Sequence, residues 1–536
     1  MKRLSLPLHR MQSHYSVVVV GSGYGGAVAA SRLARAGQQV CLLERGKEFQ
    51  PGEYPNTEAE ALAQLQADLP MGPPLCRTGL FDFRINKEIN VLLGCGLGGT
   101  SLVNANVSLR PEPRVFEDKR WPLALRKDRT TILDQSFTRV QEMLAATPYP
   151  DEAPALHKYQ ALKRSAQGLG PVYHPPINVS FRDGVNAQGV EQKACNACGD
   201  CVSGCNVGAK NTLIMNYLPD AVQHGAEIYT CASVRYLERE NGRWRVYFQV
   251  LETGFEPLQG ALRSVSADQV ILGAGSLGST EILLRSRRHG LVLSEQLGRR
   301  FTGNGDVLGF AYNSDQTIDG IGFGNRSPQG REPVGPCITG IIDLREQANF
   351  TDGMVIEEGS IPGALASFLP KILGAAALAV GEETDGGFQD RAEKRAREWE
   401  SLIRGPYQGA TRNTQTFLAM SHDDSSGQMV LENDRLRIHW PGVGQQPIFK
   451  EVNQRLKEAT RSLGGTYVKN PGWSEQLGHG LITVHPLGGC VMAERAEDGV
   501  VNHAGQVFAG SDGTALHPGL VVLDGAIIPR SLGVNP

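Results

Sequence analysis

Apolar residues in this chain come in short runs cut by glycine, and the spacing of those runs sets the first expectations. Val17 to Val20 is an unbroken β-branched run, the pattern of a strand covered on both faces in a parallel sheet. It leads directly into Gly21-Ser22-Gly23-Tyr24-Gly25-Gly26. Ala27 to Ala36 then has helix-forming composition and stops at Gly37, a natural helix C-cap. Gln39 to Leu43 predicts a second strand, ending at Glu44. The same alternation recurs at Val270–Leu272, Gly273-Ala274-Gly275 and a helix over Ser279–Arg285, and Val521–Leu523 predicts a strand before Asp524-Gly525. Such alternation predicts an α/β fold with a Rossmann-type domain assembled from discontinuous segments.

Other stretches carry a different period. Val234 to Glu252 alternates as a β-hairpin with Glu240-Asn241-Gly242 as its turn. Residues 306–350 and 410–440 read as strands joined by short Gly and Asn turns, and the charged run Glu382–Arg404 reads as a solvated helix. The expected organisation is therefore a dinucleotide-binding domain from 14–110, 185–305 and 481–536 and a connecting or lid segment over 111–184. A substrate domain over 306–480 would have a mostly antiparallel sheet and helices.

Composition narrows the class. Glycine reaches 64 of 536 residues, about 12% against a usual ~7%, which with 30 prolines and no G-X-Y period means tight turns and close backbone approaches. A formal charge of −3 lacks the basic excess of a nucleic-acid-binding protein. Ten cysteines are too few for a disulfide scaffold. Met1–His14 has no apolar core of signal-peptide type, and the most apolar stretch, Ala364–Val380, is interrupted by Pro370 and Lys371. These features predict a soluble cytoplasmic protein. Ala364–Val380 keeps two readings, core packing or an apolar lid that touches a membrane surface and passes a lipid-like substrate inward.

Gly21-x-Gly23-x-x-Gly26 with Glu44 about 20 residues on has the spacing of a dinucleotide-binding fingerprint. In that reading Gly21 makes the turn, Gly23 admits the pyrophosphate and Gly26 lets helix and strand pack. Glu44 would accept hydrogen bonds from the adenosine ribose. A second glycine cluster follows, Gly94-Cys95-Gly96-Leu97-Gly98-Gly99-Thr100-Ser101-Leu102-Val103-Asn104. It would let backbone amides crowd a flat ligand, with Ser101 and Asn104 adding hydrogen bonds.

This second cluster resembles the flavin-covering signature of the glucose–methanol–choline oxidoreductases, especially their cholesterol oxidase branch. The resemblance continues through Gly273-Ala274-Gly275-Ser276-Leu277-Gly278-Ser279-Thr280 and His485-Pro486-Leu487-Gly488-Gly489-Cys490 to Asp524-Gly525 and Gly533-Val534-Asn535-Pro536. It implies noncovalent FAD held by Gly21, Gly23, Gly26, Glu44, Gly96, Gly99, Ser101, Asn104, Gly275, Asp524 and Gly525, with Val234 matching the family's adenine-side backbone contact. No flavin-linking histidine motif lies near Gly94–Ser101. It also implies that His485 removes the hydroxyl proton of an alcohol while Asn535 orients its oxygen, a task suited to a base of near-neutral pKa. The implied substrate is a bulky hydrophobic alcohol, a 3-hydroxysteroid first, with oxygen or another acceptor taking the electrons. Isomerising steroid oxidases place a glutamate base after a Pro-x-x-Leu stretch. Here Pro362-Gly363-Ala364-Leu365 is followed by Ala366, and the candidate carboxylates Glu357 and Glu358 precede Pro362; either could reach the site by a shifted register, or both are ordinary strand residues, so isomerase chemistry is left open. Relatives continue past the Asn-Pro pair with a helix facing the flavin pyrimidine, whereas this sequence stops at Pro536.

Cys195-x-x-Cys198-x-x-Cys201-x-x-x-Cys205 has the spacing of a bacterial ferredoxin run, without its proline and without a second run. Two readings follow. The four thiols ligate a metal or Fe–S cluster, and the chain is an electron-transfer flavoprotein with no alcohol site; or they form a structural or redox-active loop.

Overall fold

Val17, Val18 and Val19 are fully buried because the strand they belong to, His14–Val20, is flanked on both sides. In this computed structural model, which describes residues 2–68, 76–384, 386, 388–475 and 478–536, that strand pairs in parallel with Val40–Leu43 and with Leu262–Leu272. Glu227–Tyr229 and Leu516–Val522 extend the two sides, again in parallel. The register sets Val20 beside both Leu43 and Leu272, and Leu272 beside Val522. The strands therefore end at one level, and Gly21, Glu44, Gly273 and Leu523 all emerge at the same carboxyl edge, where open α/β sheets bind ligands. The hairpin Ala232–Glu240 and Arg243–Val250 completes one flank. Its turn residues Asn241 and Gly242 both have positive φ, as a two-residue type I′ turn requires.

Helix Tyr24–Arg35 starts inside the glycine run and buries Ala27, Ala29, Ala30 and Ala34. Its first turn lies against the chain's last segment. A Cβ on Gly25 would stand 1.6 Å from the Leu523 carbonyl oxygen, and one on Gly26 would stand 2.0 Å from that of Gly21. The helix after the third glycine motif, Gly275–Arg288, is longer than the sequence pattern indicates.

A second, seven-stranded sheet is antiparallel throughout its pairings, with Val307–Tyr312, Gln415–Met420 and Met354–Gly359 at its centre. Ile341–Leu344 and the short edge strand Val172–Tyr173 continue it on one side. Helix Pro447–Arg461 packs on it through Phe449, Val452 and Leu456. Every position of Met354–Gly359 is buried, including Glu357 and Glu358. In a separate four-stranded sheet Leu481–Thr483 pairs in parallel with Ile89–Gly94. That pairing brings the break at Val484–His485 beside the second glycine loop.

The charged stretch 382–404 divides into an edge strand, Gly381–Glu383, and a helix, Phe388–Arg404; Asp385 and Gly387 lie outside the described residues. In the apolar stretch, 3-10 turns over Gly363–Phe368 lead into helix Leu369–Val380. Pro370 sits in that helix's first turn, where its missing N–H costs nothing, so it opens the helix instead of breaking it. Among the described residues Gly363–Val380 is long and apolar enough to cross a membrane by length and composition, and only 33% of it is buried.

The contact at Gly25 gives a stability test. Gly25→Ala is expected to leave no stably folded protein, or to cost about 4 kcal/mol or more by chemical denaturation, since backbone meets backbone there. Gly37→Ala, left-handed but with open space around it, should cost only about 1–2 kcal/mol.

Candidate active site

The loops at the carboxyl edge enclose a cavity of about 1320 Å³, more than the 300–1,000 Å³ of a typical single-ligand pocket. Gly21, Gly23, Glu44, Gly99, Asn104, Val234, Gly275, Asp524, Gly525, His485 and Asn535 all line it. Sequence-predicted residues from six separate stretches of the chain thus meet in one space. The nearest atom to a Cβ built on Gly23 is the Gly273 carbonyl oxygen at 3.8 Å, whereas a Cβ on Gly99 would lie 2.8 Å from the Gly23 Cα. The second glycine loop therefore presses on the first and leaves the face of Gly23 open. Glu44 braces the same turn, accepting the Ser22 N–H (3.0 Å) and hydroxyl (2.6 Å) on one oxygen and the Gly46 N–H (2.7 Å) on the other. Asp524 ties the last loop to the third motif by accepting the Gly275 N–H (2.9 Å) and the Ser279 hydroxyl (2.5 Å). Burial pushes its carboxyl up to about 6.

Three predicted contacts serve the frame instead of the cavity. Gly26 and Gly96 do not line it; Gly26 packs helix on strand, and the Gly96 carbonyl accepts the Ser22 hydroxyl at 3.3 Å. Ser101 is buried with its hydroxyl spent, donating to the Gly98 carbonyl (2.7 Å) and accepting the Leu213 N–H (3.1 Å). Asn104 does line the cavity, and its amide nitrogen donates to the Tyr24 hydroxyl at 2.8 Å.

At the other predicted group, His485 Nδ1 sits 2.9 Å from Asp306 Oδ1. A carboxylate only accepts, so Nδ1 carries the proton and Nε2 is left as the acceptor. The second oxygen of Asp306 takes the Thr483 hydroxyl and the Val484 N–H, both at 2.9 Å. Burial alone would lower the His485 pKa, but the charge and hydrogen bond of Asp306, helped by Glu357, outweigh it and raise it.

Of the two candidate glutamates, Glu357 is the one beside the predicted pair. It is a strand residue, and Asn535 Nδ2 donates to Glu357 Oε2 at 3.2 Å, while its charge reaches His485. Strand alternation separates the two, because the next residue, Glu358, faces the opposite way and pairs with buried Lys158 at 2.6 Å. Burial drives the Glu357 pKa up to about 8, against the lowering effect of the Asn535 bond. Glu357 Oε1 and Asn535 Oδ1 are both buried without a hydrogen-bond partner; a substrate hydroxyl could donate to the amide oxygen. Asp306 was missed. Its signal was weak, a lone Asp in Gly303-Asn304-Gly305-Asp306.

The cysteine run is corrected outright. Among the described residues no group of three or more His, Cys, Asp or Glu side chains could hold a metal ion, so the cluster reading fails. Cys201 is buried with Val107, Ile177, Val179 and Cys337, and burial pushes the Cys195 thiol up to about 12, against thiolate chemistry. The loop instead ties regions together. Asp200 accepts the N–H groups of Gly324 and Gly363. Buried Lys210, its pKa lowered by burial to about 8, donates to the carbonyls of Leu102, Asn104 and Cys201.

The family model described as GMC oxidoreductase matches residues 15–302, and its C-terminal counterpart matches 443–536. The chain belongs to the GMC oxidoreductase family. It is 28% identical to a cholesterol oxidase of Mycobacterium tuberculosis over 98% of this chain and 89% of that one. It is 23% identical to a long-chain-alcohol oxidase of Arabidopsis thaliana over 97% of this chain and 65% of that one. Its fold is that of pyridoxine 4-oxidase from Mesorbium loti, with a TM-score of 0.57 at 19% identity, covering 96% and 95% of the two chains. This GMC oxidoreductase is thus an enzyme acting on CH–OH donors, in a family that typically binds FAD. The open face of Gly23, the helix N-terminus behind it and the carboxylate of Glu44 fit that dinucleotide.

Two outcomes test the site. Gly23→Val fills open space without touching protein, so the variant should fold with the wild-type melting temperature yet purify without flavin absorbance; stoichiometric flavin would refute the cradle. Asp306→Asn removes the charge that raises the His485 pKa. A base must be unprotonated to accept a proton, so the acid limb of the kcat/KM profile should move to lower pH, alongside a lower plateau from the misoriented ring.

Proposed function

We propose that this GMC oxidoreductase oxidises the CH–OH group of a bulky apolar alcohol, a 3-hydroxysteroid first among them, to a ketone with noncovalently held FAD. One observation carries the reading. His485, with its acceptor nitrogen, and Asn535 line the same cavity as Leu308, Ile338, Ala364, Leu365 and Leu418, and the Glu357 carboxyl is hydrogen-bonded to Asn535. Bound FAD supplies the two-electron acceptor for the hydride leaving the carbinol carbon. The chain's own residues do the rest. His485 Nε2 takes the hydroxyl proton, Asp306 stabilises the imidazolium that results, and the Asn535 amide holds the oxygen in line. Glu357, with a pKa of about 8, keeps a minor carboxylate form at neutral pH; that form would take a proton from the carbon between the new ketone and a β,γ double bond and return it at the γ carbon, moving the double bond into conjugation.

The cavity wall is continuous with an apolar surface, which supports a substrate delivered from a lipid bilayer. Ala61, Leu62 and Leu65 line the cavity beside Pro362 and Leu365, and Leu62, Phe368, Ile372, Leu378, Leu402 and Ile403 are exposed on the elements packed around it. An apolar patch of this kind marks an interaction surface.

Anaerobic flavin bleaching and peroxide release on a panel of hydroxysteroids and straight-chain alcohols tests the reading. A 3-hydroxysteroid should give the highest kcat/KM, and His485→Ala should slow bleaching by roughly 10²–10⁴ while keeping FAD. A Δ5 sterol should yield the conjugated ketone, and Glu357→Gln should release the unconjugated one. Ile372→Glu combined with Leu378→Glu should raise KM for sterol in phosphatidylcholine vesicles but not for sterol in micelles. Preference for a short polar alcohol, or equal KM changes in both media, would count against it.

A further inference from the structure

Asn535 lies in the irregular stretch that follows Ile528, so its place in the site depends on how the backbone before it is held. One side chain does most of that. Asn304 Oδ1 accepts the N–H groups of Leu532 (2.8 Å) and Gly533 (3.1 Å), and its Nδ2 donates to the Val534 carbonyl at 2.8 Å. Three consecutive residues before Asn535 are thus held by one fully buried amide. The pattern needs an acceptor atom and a separate donor atom on one short side chain, which the asparagine amide supplies; an ionised Asp cannot donate.

Asn304 is itself held rigidly. It adopts a left-handed φ of 57°; its N–H donates to the Thr302 hydroxyl at 2.9 Å, and its carbonyl accepts the Ser421 N–H at 3.2 Å. Buried Asp423 clamps the residues around it, accepting the Thr302 hydroxyl (2.6 Å) and the N–H groups of Gly303 and Gly305 (3.0 Å each). Two residues further on, Asp306 holds His485. One short bracket, Thr302–Asp306, therefore carries supports of both groups predicted to handle the substrate oxygen.

We propose that Asn304 is a positioning residue that holds Asn535 in the site, so that the bracket Thr302–Asp306 sets the spacing between Asn535 and His485. The inference rests on the role of Asn535 proposed above. A misplacement of about 1 Å costs up to about 10²-fold in rate, so loss of the tie should be visible in turnover well before it is visible in folding.

The test is a double-mutant cycle on flavin-loaded enzyme with the best steroid of the panel. Asn304→Ala should slow anaerobic flavin reduction about tenfold to a hundredfold, to the level of Asn535→Ala. The Asn304→Ala/Asn535→Ala double variant should be no slower than Asn535→Ala alone. FAD content and the acid limb of the pH profile, set by Asp306 and His485, should stay as in the wild type. Asn304→Asp, which keeps the acceptor and loses one donor, should fall between and serves if the alanine variant does not fold. A wild-type rate in either Asn304 variant, or penalties that multiply in the double variant, would overturn the inference while leaving Asn535 in its role. A wild-type rate for Asn535→Ala would remove that role and the positioning with it.

Discussion

The structure depends on backbone packing against backbone at the carboxyl edge of the parallel sheet. Gly25 meets Leu523, Gly26 meets Gly21, Gly273 meets Gly26 and Gly99 meets Gly23, each closer than a side chain would allow. These contacts join residues near the start of the chain to its middle and its end, and they are possible because the strands stop at one level. The glycine excess of the composition has its physical explanation here. A turn that must present amide groups to an anionic ligand cannot also be padded by side chains. The cavity is the space left when these loops have packed as closely as they can.

Above that edge the problem becomes electrostatic. Four carboxyl groups, Asp306, Glu357, Glu358 and Asp423, are buried within or around the site, and an ionised carboxylate out of water costs several kcal/mol unless it is paired or hydrogen-bonded. Glu358 has Lys158 and Thr339. Asp423 has two backbone N–H groups of the bracket, that of Ser425 and the Thr302 hydroxyl. Asp306 has the Thr483 hydroxyl, the Val484 N–H and the imidazole. Glu357 has one amide donor on one oxygen. The least compensated of the four is also the one whose pKa is driven up to about 8, and its one partner is Asn535. The site thus holds an aspartate that stabilises positive charge on a histidine beside a glutamic acid that holds its own proton, two carboxyl groups set to different tasks by their surroundings.

The strand-to-glycine-to-helix units were legible along the chain because their determinants are local: a β-branched run, a turn with no Cβ, a capped helix. The motif residues Gly21, Gly23, Glu44, Gly99 and Asn104 line the cavity for the same reason. The failures share a cause as well. Ser101 sits inside a motif, but its hydroxyl is claimed by Leu213 and Gly98, partners that spacing does not reveal. The cysteine run has ferredoxin spacing, yet spacing says nothing about which way each thiol points, and burial left them as apolar packing around Lys210 and Asp200.

What the sequence by itself determined is the α/β class, the three glycine turns and the residue types available for chemistry. Periodicity and turn chemistry act over a few residues and need no partner. Only the tertiary structure decided which of two adjacent glutamates sits beside Asn535. Glu357 and Glu358 are indistinguishable in the sequence, and they differ because a strand sends successive side chains to opposite faces, one toward Lys158 and the other toward Asn535. It likewise decided that Asp306 and Asn304 matter. Their partners lie 179 and 228 to 230 positions away, and hydrogen bonds over such separations are set by how the two sheets close on each other, which no local pattern encodes.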